Sequence, residues 1–101
     1  MEKTIFIDYF GNTPKIRILD LLLTGRELDY SISDISQHTK IGRATFYRLL
    51  NDLLKNEIII ITRKVGNIQL YKLNMNNKDV VKIAAFYDAL LSGKKNKLLT
   101  P

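Results

Sequence analysis

The sequence of 101 residues predicts a mainly α-helical fold with one small β-hairpin, for three reasons. Leucine and isoleucine recur at helical spacing in stretches that begin with residues suited to N-caps. Two β-branched runs, 58–63 and 68–73, flank a Gly66-Asn67 pair that favours a tight hairpin turn. The apolar content of 46% suffices for one modest core, so we expect residues 1–93 to form a single domain.

The first clear helix is predicted at about 13–24. Thr13 can accept hydrogen bonds from the free amides, and Pro14 suits the first helical position because its missing N–H is not needed there. Gly25 is expected to end this helix in the left-handed conformation. The segment 4–10 is compatible with a strand or a helix, and we favour a short helix packed on a partner.

A second helix, at about 34–39, is predicted after a short extended piece at 30–32. Ser33 is its expected N-cap, and Asp34 lies in its first turn, at the positive end of the helix dipole. The turn Lys40-Ile41-Gly42 ends the helical pattern.

A third helix is predicted at about 43–55. Gly42 can serve as its N-cap, and Ile41 and Phe46 occupy the two positions of a hydrophobic staple. Its apolar side chains share one side, so the other side is polar and basic. That polar side comprises Arg43, Thr45, Tyr47, Arg48, Asn51 and Lys55.

A fourth helix is predicted at about 77–92, followed by a flexible basic tail at 94–101. Asn76 is its expected N-cap, with Met75 and Val80 as a hydrophobic staple.

Positive charge concentrates in the middle of the chain, whose formal net charge is +6. Residues 40–72 hold seven basic side chains against two acidic ones, whereas residues 1–39 hold four against six. This clustering favours contact between the middle segment and a phosphate backbone.

The composition excludes several classes of protein. Cysteine is absent, which rules out thiolate metal sites and a thiol nucleophile. His38 is the single histidine, and because a metal site needs several ligands we expect no metal and no cofactor. The chain offers no nucleophile–base pair, no clustered acids and no phosphate-binding glycine loop, so we expect no enzymatic activity. With neither a signal peptide nor a membrane-spanning run, the protein is expected in the cytoplasm.

The predicted order of elements describes a winged helix-turn-helix: two short helices joined by a tight turn, then a basic hairpin. A helix can enter the major groove while the hairpin reaches the neighbouring backbone. We therefore predict binding to double-stranded DNA. The expected contact residues are Lys40, Arg43, Ala44, Thr45, Tyr47, Arg48, Asn51, Arg63, Lys64 and Asn67.

The same segments resemble winged helix-turn-helix transcriptional regulators, particularly small archaeal ones, over about 13–91. The resemblance lies in the segments 11–14, 33–35, 41–48, 53–59 and 63–66. It implies that Arg43, Thr45, Tyr47 and Arg48 read DNA and that Arg63, Lys64 and Asn67 lie in the wing. Gly42 departs from the family, which often has Ser or Thr there, so a hydroxyl that often contacts phosphate is missing.

The predicted fourth helix carries more apolar surface than one packed face requires, since only Lys82 and Asp88 are charged between Val80 and Leu91. We expect a two-fold partner to cover it, which would place two reading helices about 34 Å apart on an inverted-repeat site. The expected interface residues are Val80, Ile83, Ala84, Tyr87, Leu90 and Leu91. The alternative is that the first helix and the residues before it cover both sides within one chain.

Two other functions are compatible with this fold. One is DNA binding in replication or in plasmid or virus partition, and the other is a protein-interaction module in a larger assembly. An interaction wing should expose apolar residues, so the basic Arg63 and Lys64 favour DNA. No pattern in the sequence indicates a small-molecule effector.

Overall fold

The computed structural model describes residues 4–99, with side chains described up to 93. Five helices and one antiparallel hairpin follow one another in the predicted order, which confirms the predicted fold class. They are α1 (Ile5–Phe10), α2 (Pro14–Thr24), α3 (Ile32–Thr39), α4 (Arg43–Lys55), β1 (Ile59–Val65), β2 (Ile68–Leu73) and α5 (Lys78–Leu99). Within these residues, no helix is both long and apolar enough to cross a membrane.

Helix α2 begins as its sequence predicts but ends differently. The Thr13 hydroxyl accepts a hydrogen bond from the Ile16 amide, and Pro14 occupies the first helical position. The expected left-handed Gly25 is wrong, since its φ is −109°. A Cβ at this position would collide with the Tyr30 hydroxyl, so the glycine permits a close approach rather than an unusual backbone angle.

Helix α3 begins earlier than expected, because Ser31 and not Ser33 is its N-cap. The Ser31 hydroxyl accepts from the Asp34 amide at 3.1 Å, and the Asp34 carboxylate accepts from the Ser31 amide at 3.0 Å. This capping box satisfies two free amides at once. The left-handed Lys40, with φ of 60°, then turns the chain towards α4.

The hairpin is longer at its tip than the sequence predicts, since β1 extends to Val65. Gly66 supplies the positive φ of 62° that the two-residue turn requires. The register shifts between Ile61 and Arg63, which leaves Thr62 as a β-bulge. On the other edge of β2, the backbone of Tyr30 pairs with that of Tyr71.

The core lies between the helices and the inner face of the hairpin. Every element contributes to it, and the most deeply buried side chains include Ile18, Leu22, Ile35, Phe46, Leu53 and Val80. The expected staple residues Ile41 and Phe46 are both buried, as a packed turn before α4 requires.

A short helix does form at the N-terminus, and it packs on its own chain through Phe6 and Ile7. Thr4 caps it and also donates a hydrogen bond to the buried Asp20 carboxylate at 2.7 Å. The Tyr87 hydroxyl donates to the same oxygen at 3.0 Å. This polar contact joins α1, α2 and α5 at one point.

Helix α5 departs from the prediction at both ends. Asn77, not Asn76, caps it, because the Asn77 side chain accepts from the Asp79 amide at 2.9 Å. The expected end at Ser92 is wrong, since the helix continues through Gly93 to Leu99. The predicted tail 94–101 therefore overlaps the last turns of α5, and residues 100 and 101 lie outside the described residues.

Candidate nucleic-acid interface

The outer face of α4 is a continuous exposed surface. Phe46, Leu50 and Leu53 point into the core, which fixes the rotation of the helix about its axis. The opposite stripe follows the spacing of four, three and four residues expected for one helical face. It consists of Ala44, Arg48, Asn51 and Lys55, all of them exposed. With a small residue at its start and two cations along it, this stripe can approach a polyanionic duplex closely.

A groove runs between the start of α3, the first turns of α4 and the hairpin. Arg43 and Tyr47 from α4 and Asn67 from the turn line it together, so the structure brings three of the expected contact residues to one place. The Arg43 guanidinium lies 3.4 Å from the Ser33 hydroxyl, at the N-terminal turn of α3. The groove also holds Ser31, Ile32, Ser33, Ile68, Gln69 and Tyr71.

The hairpin register separates the two cations of the wing. Lys64 pairs with Gln69, and Arg63 pairs with Leu70. Cross-strand partners share a face and successive residues alternate between faces. Lys64 therefore lies on the face of Gln69, which lines the groove, while Arg63 lies on the opposite face.

Arg63 is held by a carboxylate from another part of the chain. Its Nε and Nη2 lie 2.9 and 3.3 Å from the two oxygens of Asp29, in the loop between α2 and α3. The Thr62 hydroxyl donates to the same carboxylate at 2.8 Å. The Arg63 guanidinium, followed by the Thr62 hydroxyl, holds the pKa of the Asp29 carboxyl below its usual value. The charge of Arg63 is thus paired with a carboxylate, which distinguishes it from the other basic residues expected to contact DNA. Those residues are Lys40, Arg43, Arg48 and Lys64.

The expected DNA-contacting residues all lie on the surface of the helix-turn-helix or the hairpin, and Thr45 is the least exposed of them. The DNA contacts expected from the sequence did not include Ser33 and Gln69 of the groove, Lys55 of the outer stripe, or Asp29 beside the wing. Lys55 was already expected on the polar side of this helix, and its helical spacing to Arg48 and Asn51 is the signal that could have added it to the contacts. Asp29 could not, because nothing local connects it to a residue 34 positions away.

Three of the six expected dimer-interface residues are already used within the chain. Val80, Ala84 and Tyr87 are 1%, 1% and 2% exposed, so they belong to the core and this part of the prediction is wrong. The cause is that α1 and α2 pack on that side of α5, with the Phe6 and Tyr87 rings 5.4 Å apart. The alternative of coverage within one chain is therefore correct for this side of α5.

A second side of α5 remains exposed and apolar. Ile83 and Phe86 are 37% and 46% exposed, and Leu90, half-buried against the core, follows them at helical spacing. The ring of Phe10, in α1, packs edge-on against Phe86 at 6.0 Å and extends this surface. We call these four residues the α5 apolar face. Leu91 is also exposed, but it lies on the side that carries Val80 and Tyr87.

Among the side chains of residues 4–93, no cluster of three or more histidine, aspartate or glutamate residues could hold a metal ion. His38 is exposed in the last turn of α3.

Several solved structures have a fold similar to that of this chain. The Mycobacterium tuberculosis protein Rv0081 superposes with a TM-score of 0.61 at 20% identity, over 94% of this chain and 90% of its own. A ferric uptake regulator from Francisella tularensis, solved with iron, gives a TM-score of 0.55 at 24% identity, over 76% of this chain. A point mutant of ZitR from Lactococcus lactis gives 0.58 at 19% identity, over 82% of this chain.

The chain spans 56% of the length of the ferric uptake regulator and 56% of ZitR. No protein-family model matches the sequence, and comparison with curated proteins finds no relative. The structural likeness establishes a winged helix-turn-helix fold with a C-terminal helix, in which α3 and α4 form the helix-turn-helix and β1 and β2 the wing.

Proposed function

We propose that this protein is a transcriptional regulator that binds double-stranded DNA sequence-specifically as a homodimer in the cytoplasm. The observation that carries the proposal is the outer stripe of α4, where Arg48, Asn51 and Lys55 are exposed beside a groove shared with the wing. A helix of this diameter fits the roughly 12 Å major groove, and its exposed polar side chains then meet base edges. The presence of a regulator among the structural neighbours supports this function.

Each part of the surface has a distinct role in this proposal. Arg48 and Asn51 contact base edges or phosphates in the major groove. Ala44 allows the helix to approach the duplex closely, and Thr45 contributes to the preference for one sequence over another. Arg43, Tyr47 and Lys40 contact the flanking backbone near the start of α4. Lys64 and Asn67, at the tip of the wing, clamp the adjacent phosphates. The charge of the segment 40–72 provides attraction that does not depend on sequence.

The proposal is tested by selecting bound fragments from the source genome and measuring affinity for the recovered site and for a random duplex. Arg48→Ala should weaken binding to the selected site by about 1–3 kcal/mol, roughly 5- to 150-fold, if Arg48 reads a base. Lys82→Ala removes an exposed charge from α5 and is the matched control, with little effect expected. An equal loss on every duplex assigns Arg48 to phosphate, and equal effects of the two variants contradict the proposed surface.

The homodimer is proposed to form through the α5 apolar face, since exposed contiguous apolar side chains favour burial against a partner. Phe86→Glu places a charge on this face and should shift the protein from dimer to monomer in sedimentation equilibrium. Val81→Glu is the control, because Val81 is 43% exposed but lies on another side of the same helix. A monomeric wild type, or equal dissociation by both variants, contradicts this interface.

A further inference from the structure

The loop residue Asp29 and the wing residue Arg63 form a connection that the proposed DNA contacts do not use. Asp29 immediately precedes Tyr30, whose N–H and C=O pair with the Tyr71 backbone at 2.7 and 2.8 Å. This bridge anchors the loop to β2, so the carboxylate has a defined position beside the sheet. The β-bulge at Thr62 brings both the Thr62 hydroxyl and the Arg63 guanidinium to that carboxylate.

The pairing is directional and well formed. Two nitrogens of Arg63 meet the two carboxylate oxygens, which is the bidentate geometry that holds a guanidinium most firmly. The Asp29 side chain is 19% exposed and that of Arg63 is 65% exposed. The carboxylate is therefore sheltered, while the cation it holds lies at the surface of the wing.

We propose that Asp29 withholds the charge of Arg63 from the DNA backbone and so limits the part of the DNA affinity that does not depend on sequence. An arginine on a wing would otherwise add one phosphate contact to every duplex, whatever its sequence. With Arg63 held by Asp29, the phosphate contact of the wing falls to Lys64, on the groove face. Asp29 thus lowers the affinity for every duplex, random or selected, by the contribution of one phosphate contact. This inference rests on the proposed DNA binding.

The test is the salt dependence of binding to a random duplex, followed by fluorescence anisotropy. Asp29→Asn keeps the shape and an acceptor for Thr62 but removes the charge. It should tighten binding to the random duplex and to the selected site alike, and it should steepen the salt slope by about 0.9, one phosphate contact. Arg63→Gln in the wild-type background should leave the slope unchanged. In the Asp29→Asn background, Arg63→Gln should return the slope to the wild-type value.

Glu27→Gln is the matched control, because Glu27 is an exposed acid in the same loop. Equal effects of Glu27→Gln and Asp29→Asn would mean that only net charge matters and would overturn the proposal. It is also overturned if Arg63→Gln alone lowers the wild-type slope by about 0.9, since Arg63 would then already contact phosphate.

A spectroscopic measurement covers the case in which Asp29→Asn disturbs the fold. The Arg63 Nε–H resonance of the wild type should keep its position when duplex is added, because its hydrogen bond to Asp29 persists. A change of that position on adding duplex would show that Arg63 exchanges Asp29 for a phosphate, and it overturns the proposal. Failure of DNA binding itself would appear separately, as wild-type protein that binds no duplex at low salt.

Discussion

The Tyr87 hydroxyl offers a quantitative test of the contact that joins α1, α2 and α5. Asp20 is 3% exposed, and its Oδ1 accepts hydrogen bonds from Tyr87 and from Thr4. The Thr24 hydroxyl lies 2.6 Å from that of Tyr87 and also reaches the Asp20 carbonyl at 2.8 Å. Tyr87→Phe therefore deprives the buried carboxylate of one of two donors, while Thr24 keeps a partner.

The cost follows from the charge of the acceptor. A hydrogen bond to a charged group contributes about 1.5–3 kcal/mol, and the phenyl ring that packs on Phe6 is retained. We expect Tyr87→Phe to lower the free energy of unfolding by about 2 kcal/mol, with the midpoint of thermal unfolding falling by roughly 8–16 °C.

The measurement is urea unfolding followed by circular dichroism, with Tyr47→Phe as the control. Tyr47 is 49% exposed, so loss of its hydroxyl should change stability by less than about 0.5 kcal/mol. If the two variants lose the same small amount, Asp20 does not depend on Tyr87, and the reasoning about this buried contact is refuted.

Two further predictions concern stability. Burial raises the pKa of Tyr30, Tyr71 and Tyr87 above the ordinary value of 10.0, so the unfolded chain releases these phenol protons first. The free energy of unfolding should therefore fall as pH rises above about 10, by at most about 1.4 kcal/mol per pH unit for each tyrosine. Urea unfolding across this range should show a shallower fall in Tyr87→Phe, and an unchanged slope would contradict the assignment. Ser31→Ala removes half of the capping box with Asp34 and should lower the free energy of unfolding by about 1 kcal/mol. The same urea unfolding assay measures this loss, and an unchanged stability would show that the cap contributes nothing.

Local patterns in the sequence predicted most of the secondary structure. The bounds of α4 and the start of α2 depend on caps, staples and helical spacing, all of which act within a few residues. The hairpin depends on a glycine turn between β-branched runs, which is equally local. The sequence favoured Ser33 as the cap of α3 because both Ser31 and Ser33 are good N-cap residues. The spacing of Ser31 and Asp34, three residues apart, is the capping-box pattern that could have selected Ser31.

The sequence by itself thus determined the order of elements, the polar face of α4 and the charge of the segment that carries it. The tertiary structure decided which side of α5 the chain covers, because a helix apolar on several sides packs wherever its neighbours lie. Val80 and Tyr87 went to the core for this reason, whereas Phe86 remained outside. The tertiary structure also decided that Arg63 pairs with Asp29. An ion pair between residues 34 positions apart forms only after folding has brought the loop and the wing together.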